Sequence, residues 1–153
     1  MGRKVSGMSI GQICTRGPVT VPLDASLEEA AGKMLELGVG AVIVTDANVA
    51  PPAVAGILTD RDIVRARLGQ CAALSTIRVA GVMTRNPLVF DESESLVNAL
   101  RALRARAVRR APVLGHDGRL IGLLSSDDLL AELAAELGAL AQVVARQGRG
   151  RRH

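Results

Sequence analysis

The residues best suited to chemistry in this chain lie in two short turns of one type. Gly56-Ile57-Leu58-Thr59-Asp60-Arg61-Asp62 and Gly122-Leu123-Leu124-Ser125-Ser126-Asp127-Asp128 each put a hydroxyl three residues before a carboxylate, behind a glycine and an apolar pair. The plain reading is a helix start, because hydroxyl and acid at this spacing form a capping box that satisfies free backbone N–H groups. The other reading is a ligand clamp. The hydroxyl stands where backbone N–H groups and the helix dipole attract phosphate. The acid one turn on can accept from the adjacent hydroxyls of a ribose, and the glycine lets a neighbour approach the preceding strand closely. One such turn alone favours the cap; two at equivalent points shift the balance toward the clamp.

No other constellation suggests catalysis. His116 falls in a turn and His153 is the last residue; Gly-x-Ser-x-Gly, Walker-type and His-Glu-x-x-His patterns are absent from the sequence. Cys14 and Cys71 are far apart, with no Cys-x-x-Cys and no nearby His pair. Neither a metal site nor a disulfide is expected. The acids Asp60, Asp127 and Asp128 lack a diagnostic metal spacing. The expectation is a binding module and not an enzyme, with no catalytic residue and no required cofactor.

The turns belong to a repeat that spans most of the chain. Ile10-Gly-Gln-Ile13-Cys-Thr15-Arg16-Gly-Pro18-Val19 recurs 69 positions later as Val79-Ala-Gly-Val82-Met-Thr84-Arg85-Asn-Pro87-Leu88. The same offset pairs Ser26-Leu27 with Ser95-Leu96 and Val44 with Val113; beyond Pro51-Pro52 it becomes 66 and pairs Asp62 with Asp128. Such self-similarity outweighs any single motif. Each copy reads as a short strand after the proline (Val19–Val21; Leu88–Phe90) and then a Ser-capped helix with apolar spacing of three and four. Gly38 suits the C-cap of the first of these helices. Two more strands follow in each copy (Ala41–Thr45 and Val54–Leu58; Ala111–Leu114 and Leu120–Leu124), then a closing helix. The expected fold is α/β (α+β), two β-α-β-β-α repeats packed about a pseudo-twofold axis. The boundaries are 9–68 for the first repeat, 69–78 for a linker, 79–133 for the second repeat, and 134–153 for a C-terminal helix extension and basic tail.

This repeat, with Gly-Ile-Leu-Thr-Asp-Arg-Asp and Gly-Leu-Leu-Ser-Ser-Asp-Asp, resembles a pair of CBS domains (cystathionine β-synthase domains, paired as a Bateman module) over about Ser9 to Leu133. The resemblance implies a regulatory module that binds AMP, ADP, ATP or a related adenosyl ligand such as S-adenosylmethionine or NAD in clefts between the repeats. It implies that the Thr/Ser and Asp of each turn hold phosphate and ribose, that Val19 and Leu88 line adenine pockets, and that each cleft joins one repeat's turn to the other's leading segment. Basic residues before the second strand then reach phosphate. The second copy has Val108-Arg109-Arg110 where the first has Val39-Gly40-Ala41. The stronger cleft is therefore expected at Ser125, Asp128, Arg109, Arg110 and Val19. The weaker one, at Thr59, Asp62, Val39 and Leu88, would take a less charged ligand or none. Arg109 and Arg110 also suit a helix exit without any ligand.

Composition narrows the classes further. Of 153 residues 48% are hydrophobic, and Phe90 is the one aromatic among Phe, Tyr and Trp, which argues against base-stacking platforms. The net charge of +4 hides an arginine-rich end: Arg146, Arg149, Arg151 and Arg152. A solvated terminus is the plainer reading of it; nucleic-acid binding through this tail is the alternative function, and a ligand-free structural dimer is a third. The stripe Leu130, Leu133, Leu137, Leu140, Ala141, Val144 suggests a homodimer surface or extra packing on its own module. No apolar run is long enough to span a bilayer and no signal-like segment follows Met1. The resulting expectation is a cytoplasmic, stand-alone sensor that reports its ligand state to an unknown protein partner.

Overall fold

The computed structural model describes residues 7–149, with the side chains of 148 and 149 outside the description. The tail residues Arg151, Arg152 and His153, and the side chain of Arg149, thus fall outside the described residues. A one-turn helix α1 (Ile10–Ile13) and strand β1 (Thr15–Arg16) lead in. The first repeat follows as β2 (Thr20–Pro22), α2 (Leu27–Leu37), β3 (Ala41–Asp46), β4 (Ala53–Thr59) and α3 (Asp60–Gly69). Two 3-10 turns (Leu74–Thr76 and Val79–Gly81) and β5 (Thr84–Arg85) lead into the second. That repeat comprises β6 (Phe90–Asp91), α4 (Leu96–Arg106), β7 (Arg110–Leu114), β8 (Leu120–Ser125) and α5 (Ser126–Arg149). The strands after Pro18 and Pro87 start one and two residues later than the pattern suggested.

Local sequence accounts for the helix ends. Ser26 caps α2: its Oγ accepts from Glu29 N (3.1 Å) and its own N–H donates to Glu29 Oε2 (2.7 Å), a closed capping box. Gly38 ends α2 in the left-handed conformation at φ 65°, where a Cβ would be strained. Leu27, Ala30 and Met34 are buried as their spacing requires, but Leu35 is 85% exposed.

The two sheets are built by exchange. Their strand orders are β2-β3-β4-β5 and β1-β8-β7-β6, so the leading strand of each repeat completes the sheet of the other. β5 runs antiparallel to β4, with Gly56 opposite Arg85; β1 runs antiparallel to β8, with Gly122 opposite Arg16. Backbone bonds repeat the exchange: Ile10 N donates to Glu94 O (2.9 Å) and Val79 N to Ala25 O (2.8 Å). The cores follow suit. Ile77, Val79 and Met83 pack with Leu27, Val42 and Leu58 in one cluster, and Ile10 and Cys14 pack with Phe90, Val113 and Leu124 in the other. These reciprocal contacts relate the two β-α-β-β-α repeats by a pseudo-twofold axis. Residues 9–68 are contiguous in sequence, yet their first eight residues are packed into the second repeat's sheet and core.

Gly56 and Gly122 have their physical reason here. A Cβ on Gly56 would stand 2.7 Å from Thr84 O and 2.6 Å from Met83 Sδ; on Gly122 it would stand 2.8 Å from Thr15 O and 2.5 Å from Cys14 Sγ. The close neighbour anticipated at these glycines is the exchanged strand of the protein itself, not a ligand. Burial of Cys14 among these groups pushes its thiol pKa up, chiefly by desolvation.

Helix α5 runs beyond the body. Leu129 is buried and Leu133 half-buried, whereas Leu130, Leu137, Leu140, Val143 and Val144 are exposed. Extra packing on its own module is therefore not the role of most of the stripe.

Candidate ligand-binding cleft

Both turns fold as the capping reading requires. Thr59 N and Thr59 Oγ1 each donate to Asp62 Oδ2 (2.9 Å), and Asp62 N donates back to Thr59 Oγ1 (3.3 Å). Ser125 N and Oγ donate to Asp128 Oδ2 (2.8 Å each), and Asp128 N donates to Ser125 Oγ (3.1 Å). One oxygen of each acid is thus committed to the helix start. The second lone pair of each hydroxyl remains for an incoming donor.

A cavity of about 540 Å³ lies between the two repeats. From the end of β4 and the start of α3 come Ile57, Thr59, Asp60 and Arg61; from β5 and the residues after it come Thr84, Arg85, Asn86, Pro87 and Leu88. The exit of α4 and the start of β7 add Arg106, Val108, Arg109 and Arg110. Ile57, Pro87, Leu88 and Val108 supply the apolar lining, and five arginines line the cavity with a single acid, Asp60. A concave, partly apolar site with convergent polar groups and this volume suits a nucleotide-sized molecule.

This arrangement redirects part of the sequence reading. Thr59 and Leu88 line the cavity together. Arg109 and Arg110 were expected beside Ser125, Asp128 and Val19, but they line the Thr59 cavity, which the sequence had marked as the weaker one; Val39, Val19, Ser125 and Asp128 do not line it, and Asp62 stands behind it in its capping box. The reason is side-chain reach across the pseudo-twofold. Arg110 pairs with Ser125 in the β7–β8 ladder, yet its Nη2 lies 4.0 Å from where a Cβ on Gly40 would be, and Asp60 Oδ2 lies 3.4 Å from that point. Gly40 has no side chain to close that space. Arg109 keeps one contact with the second turn, Nη2 to Asp127 Oδ1 at 3.7 Å, with both side chains 76% exposed. A pair so exposed holds weakly.

Three further arginines were not singled out as site residues. Arg85 and Arg106 are steadied by carbonyls: Arg85 Nη2 donates to Ala80 O (2.8 Å) and Arg106 Nη2 to Asn86 O (3.4 Å). The side chains of Arg61 and Arg110 make no hydrogen bond or ion pair among the described residues, although Arg61 N donates to Asp60 Oδ1 (2.7 Å). The signal was present in Thr84-Arg85-Asn86-Pro87 and Thr59-Asp60-Arg61, where the arginines sit inside the repeated motifs themselves. His116, at 3.5 Å from Asp91 and 3.7 Å from Glu92, stays exposed and away from the cavity. Among the described residues no His, Cys, Asp and Glu group is disposed to hold a metal ion, and no helix is long and apolar enough to cross a membrane.

A family model for the CBS domain matches residues 10–69 and again 79–135. The chain belongs to the CBS domain family. Its fold is shared with solved CBS proteins. The CBS-domain protein ATU1752 from Agrobacterium tumefaciens is 36% identical, with 76% of this chain and 90% of that one covered at a TM-score of 0.67. CBSX2, solved in complex with AMP, is 28% identical, with 85% and 99% covered at a TM-score of 0.68. MK0525 of Methanopyrus kandleri is 26% identical over 123 residues, which are 80% of this chain and 61% of that protein. The chain thus spans less than two thirds of that relative's length. Within the CBS pair, the two turns are equivalent by repeat, and the arginines gather at one of them.

Proposed function

We propose that this CBS pair is a sensor module that binds an adenine nucleotide or related adenosyl ligand in the Thr59 cleft and passes its ligand state to a protein partner. The observation that carries this reading is the cavity itself. It brings together the Thr59 turn of the first repeat, the apolar wall at Leu88 and the arginines of the second repeat. CBS-domain proteins are generally regulatory, and the likeness to a CBS protein solved with AMP supports the ligand class. The arginines that line the cavity beside the Thr59 turn would neutralise phosphate, with the positive end of α3 adding to their field, and Ile57 and Leu88 would pack on the adenine.

A ligand there touches both repeats at once, so it favours whichever relative arrangement lets both sides engage it. The signal is that shift in population, which needs no chemistry on the ligand. The test is a thermal-unfolding panel with AMP, ADP, ATP, S-adenosylmethionine and NAD. A ligand present at 100 times its Kd stabilises the folded state by about 2.7 kcal/mol, so at least one of the five should raise Tm by several degrees. No shift with any of them sinks the proposal.

A further inference from the structure

We propose that the Thr59 cleft reads the number of phosphates, taking a nucleoside di- or triphosphate in preference to a monophosphate or an uncharged adenosyl compound. The inference rests on the preceding reading that the cleft binds an adenosyl ligand, and goes on to say which kind. Five arginines from four places in the fold line the cavity: Arg61 in the first turn of α3, Arg85 in β5, Arg106 at the end of α4, and Arg109 and Arg110 just before and at the start of β7. The one acid among the lining residues is Asp60. Like charges gathered around a low-dielectric hollow repel one another and focus a strong positive potential into it. A single phosphate can engage only the two or three nearest forks. A chain of two or three phosphates spreads its charge along the cavity and reaches arginines on both sides.

The arginines are also prepared for such a ligand. Arg85 and Arg106 each spend one nitrogen on a backbone carbonyl, which fixes the fork and leaves its other N–H groups to donate. Arg61 and Arg110 are unpaired among the described residues, and the exposed contact of Arg109 with Asp127 gives way easily to a charged ligand. The repeat supplies an internal control. Where the Thr59 cleft has Arg61, Arg106, Arg109 and Arg110, the equivalent places in the other half hold Asp127, Leu37, Gly40 and Ala41, and Arg16 alone matches Arg85. The same scaffold without the charge cannot discriminate in this way, so the preference belongs to these side chains.

Titration calorimetry with adenosine, AMP, ADP, ATP and inorganic triphosphate, in metal-free buffer, tests this directly. Affinity should rise about tenfold with each added phosphate, since each adds a charge-assisted contact. The double substitution Arg61→Ala with Arg110→Ala should bring ATP to within a few-fold of AMP. Both side chains are exposed, and an unchanged Tm without ligand will show that the fold is kept. Equal affinity for AMP and ATP, or an ATP preference that survives the double substitution, overturns the inference and leaves the adenosyl-ligand reading standing. Inorganic triphosphate binding as tightly as ATP overturns its nucleoside part. Binding by none of the five overturns the inference, and absence of any shift with S-adenosylmethionine and NAD as well overturns the adenosyl-ligand reading.

Discussion

The two repeats match closely where they interlock and diverge where they face the cleft. In the interior the exchange is reciprocal to the residue: Gly56 meets Thr84 and Met83 as Gly122 meets Thr15 and Cys14, and Ser9 bridges Ser95 as Arg78 bridges Ser26. At the cleft the Thr59 side has five arginines against Asp60, while the corresponding places on the Ser125 side supply Arg16 against Asp127. Packed interiors have no slack, so a change on one side of an interlock must be met on the other. Exposed positions change at little cost to folding. The duplicated fold therefore keeps two equal halves in its core and yet carries one charged cleft.

The interlock should give the largest effects. Gly56→Ala and Gly122→Ala each drive a methyl into a backbone carbonyl of the exchanged strand, Thr84 O at 2.7 Å or Thr15 O at 2.8 Å. Relief requires β5 or β1 to move, and overpacking of this kind costs about 1–3 kcal/mol. Urea unfolding should show similar losses for the two variants and a single transition for each, because each core contains part of the other repeat. A loss confined to one variant, or two separate transitions, would break the equivalence of the halves.

Much of this was legible in the sequence, and what was not has physical causes. The repeat, the capping boxes at Thr59 and Ser125, and the left-handed turn at Gly38 follow from local residue types. The exchange of β1 and β5 does not, because strands of two residues hold too little pattern to say which sheet they join. The same gap explains the misplaced arginines. Sequence puts Arg109 and Arg110 next to the Ser125 turn, and the backbone agrees: Ser126 N donates to Arg109 O at 2.8 Å. Only the length of the Arg110 side chain, and the lack of a side chain on Gly40 across the axis, carry its guanidinium toward Asp60, while that of Arg109 stays near Asp127. The motif marks Thr59 and Leu88 because their places follow from the backbone of the repeat, whereas Arg61, Arg85 and Arg106 read first as surface charge beside a turn.

A smaller asymmetry lies at the helix exits. Gly38 ends α2 at φ 65° and its counterpart Ala107 ends α4 at φ 51°, so the same left-handed cap carries a Cβ in one half only. Nothing lies within 4 Å of a Cβ added at Gly38, which leaves backbone strain as the whole effect. Gly38→Ala should destabilise by about 1 kcal/mol, and Ala107→Gly should stabilise by less, because glycine adds entropy to the unfolded chain. Opposite signs in urea unfolding support equal caps in unequal residues. Like signs would mean that the two exits are held differently.

The smallest expected difference is one of pH. The α2 capping box closes on Glu29, whereas in α4 the corresponding residue is Asn98, whose backbone N–H donates to Ser95 Oγ at 3.2 Å. The Ser26 backbone N–H on the Glu29 carboxylate, helped by the Ser26 hydroxyl, holds the Glu29 pKa below its ordinary 4.5. Folding thus favours the ionised acid. The stability it adds is complete above the unfolded pKa and fades as pH falls from about 4.5 through the lower folded value. Asn98 does not titrate, so the position equivalent to Glu29 adds nothing to this limb. The second half has its own acid elsewhere, Asp91, held low chiefly by the Ser93 side chain and then by the Ser93 backbone N–H. Glu29→Gln should flatten the fall of Tm between pH 5 and 3, and Asp91→Asn should flatten it separately. Because the two acids lie in different repeats and share no partner, their effects should add. If Glu29→Gln leaves the acid limb unchanged, the α2 box is no more pH-dependent than the start of α4, and the two helix starts are equivalent after all.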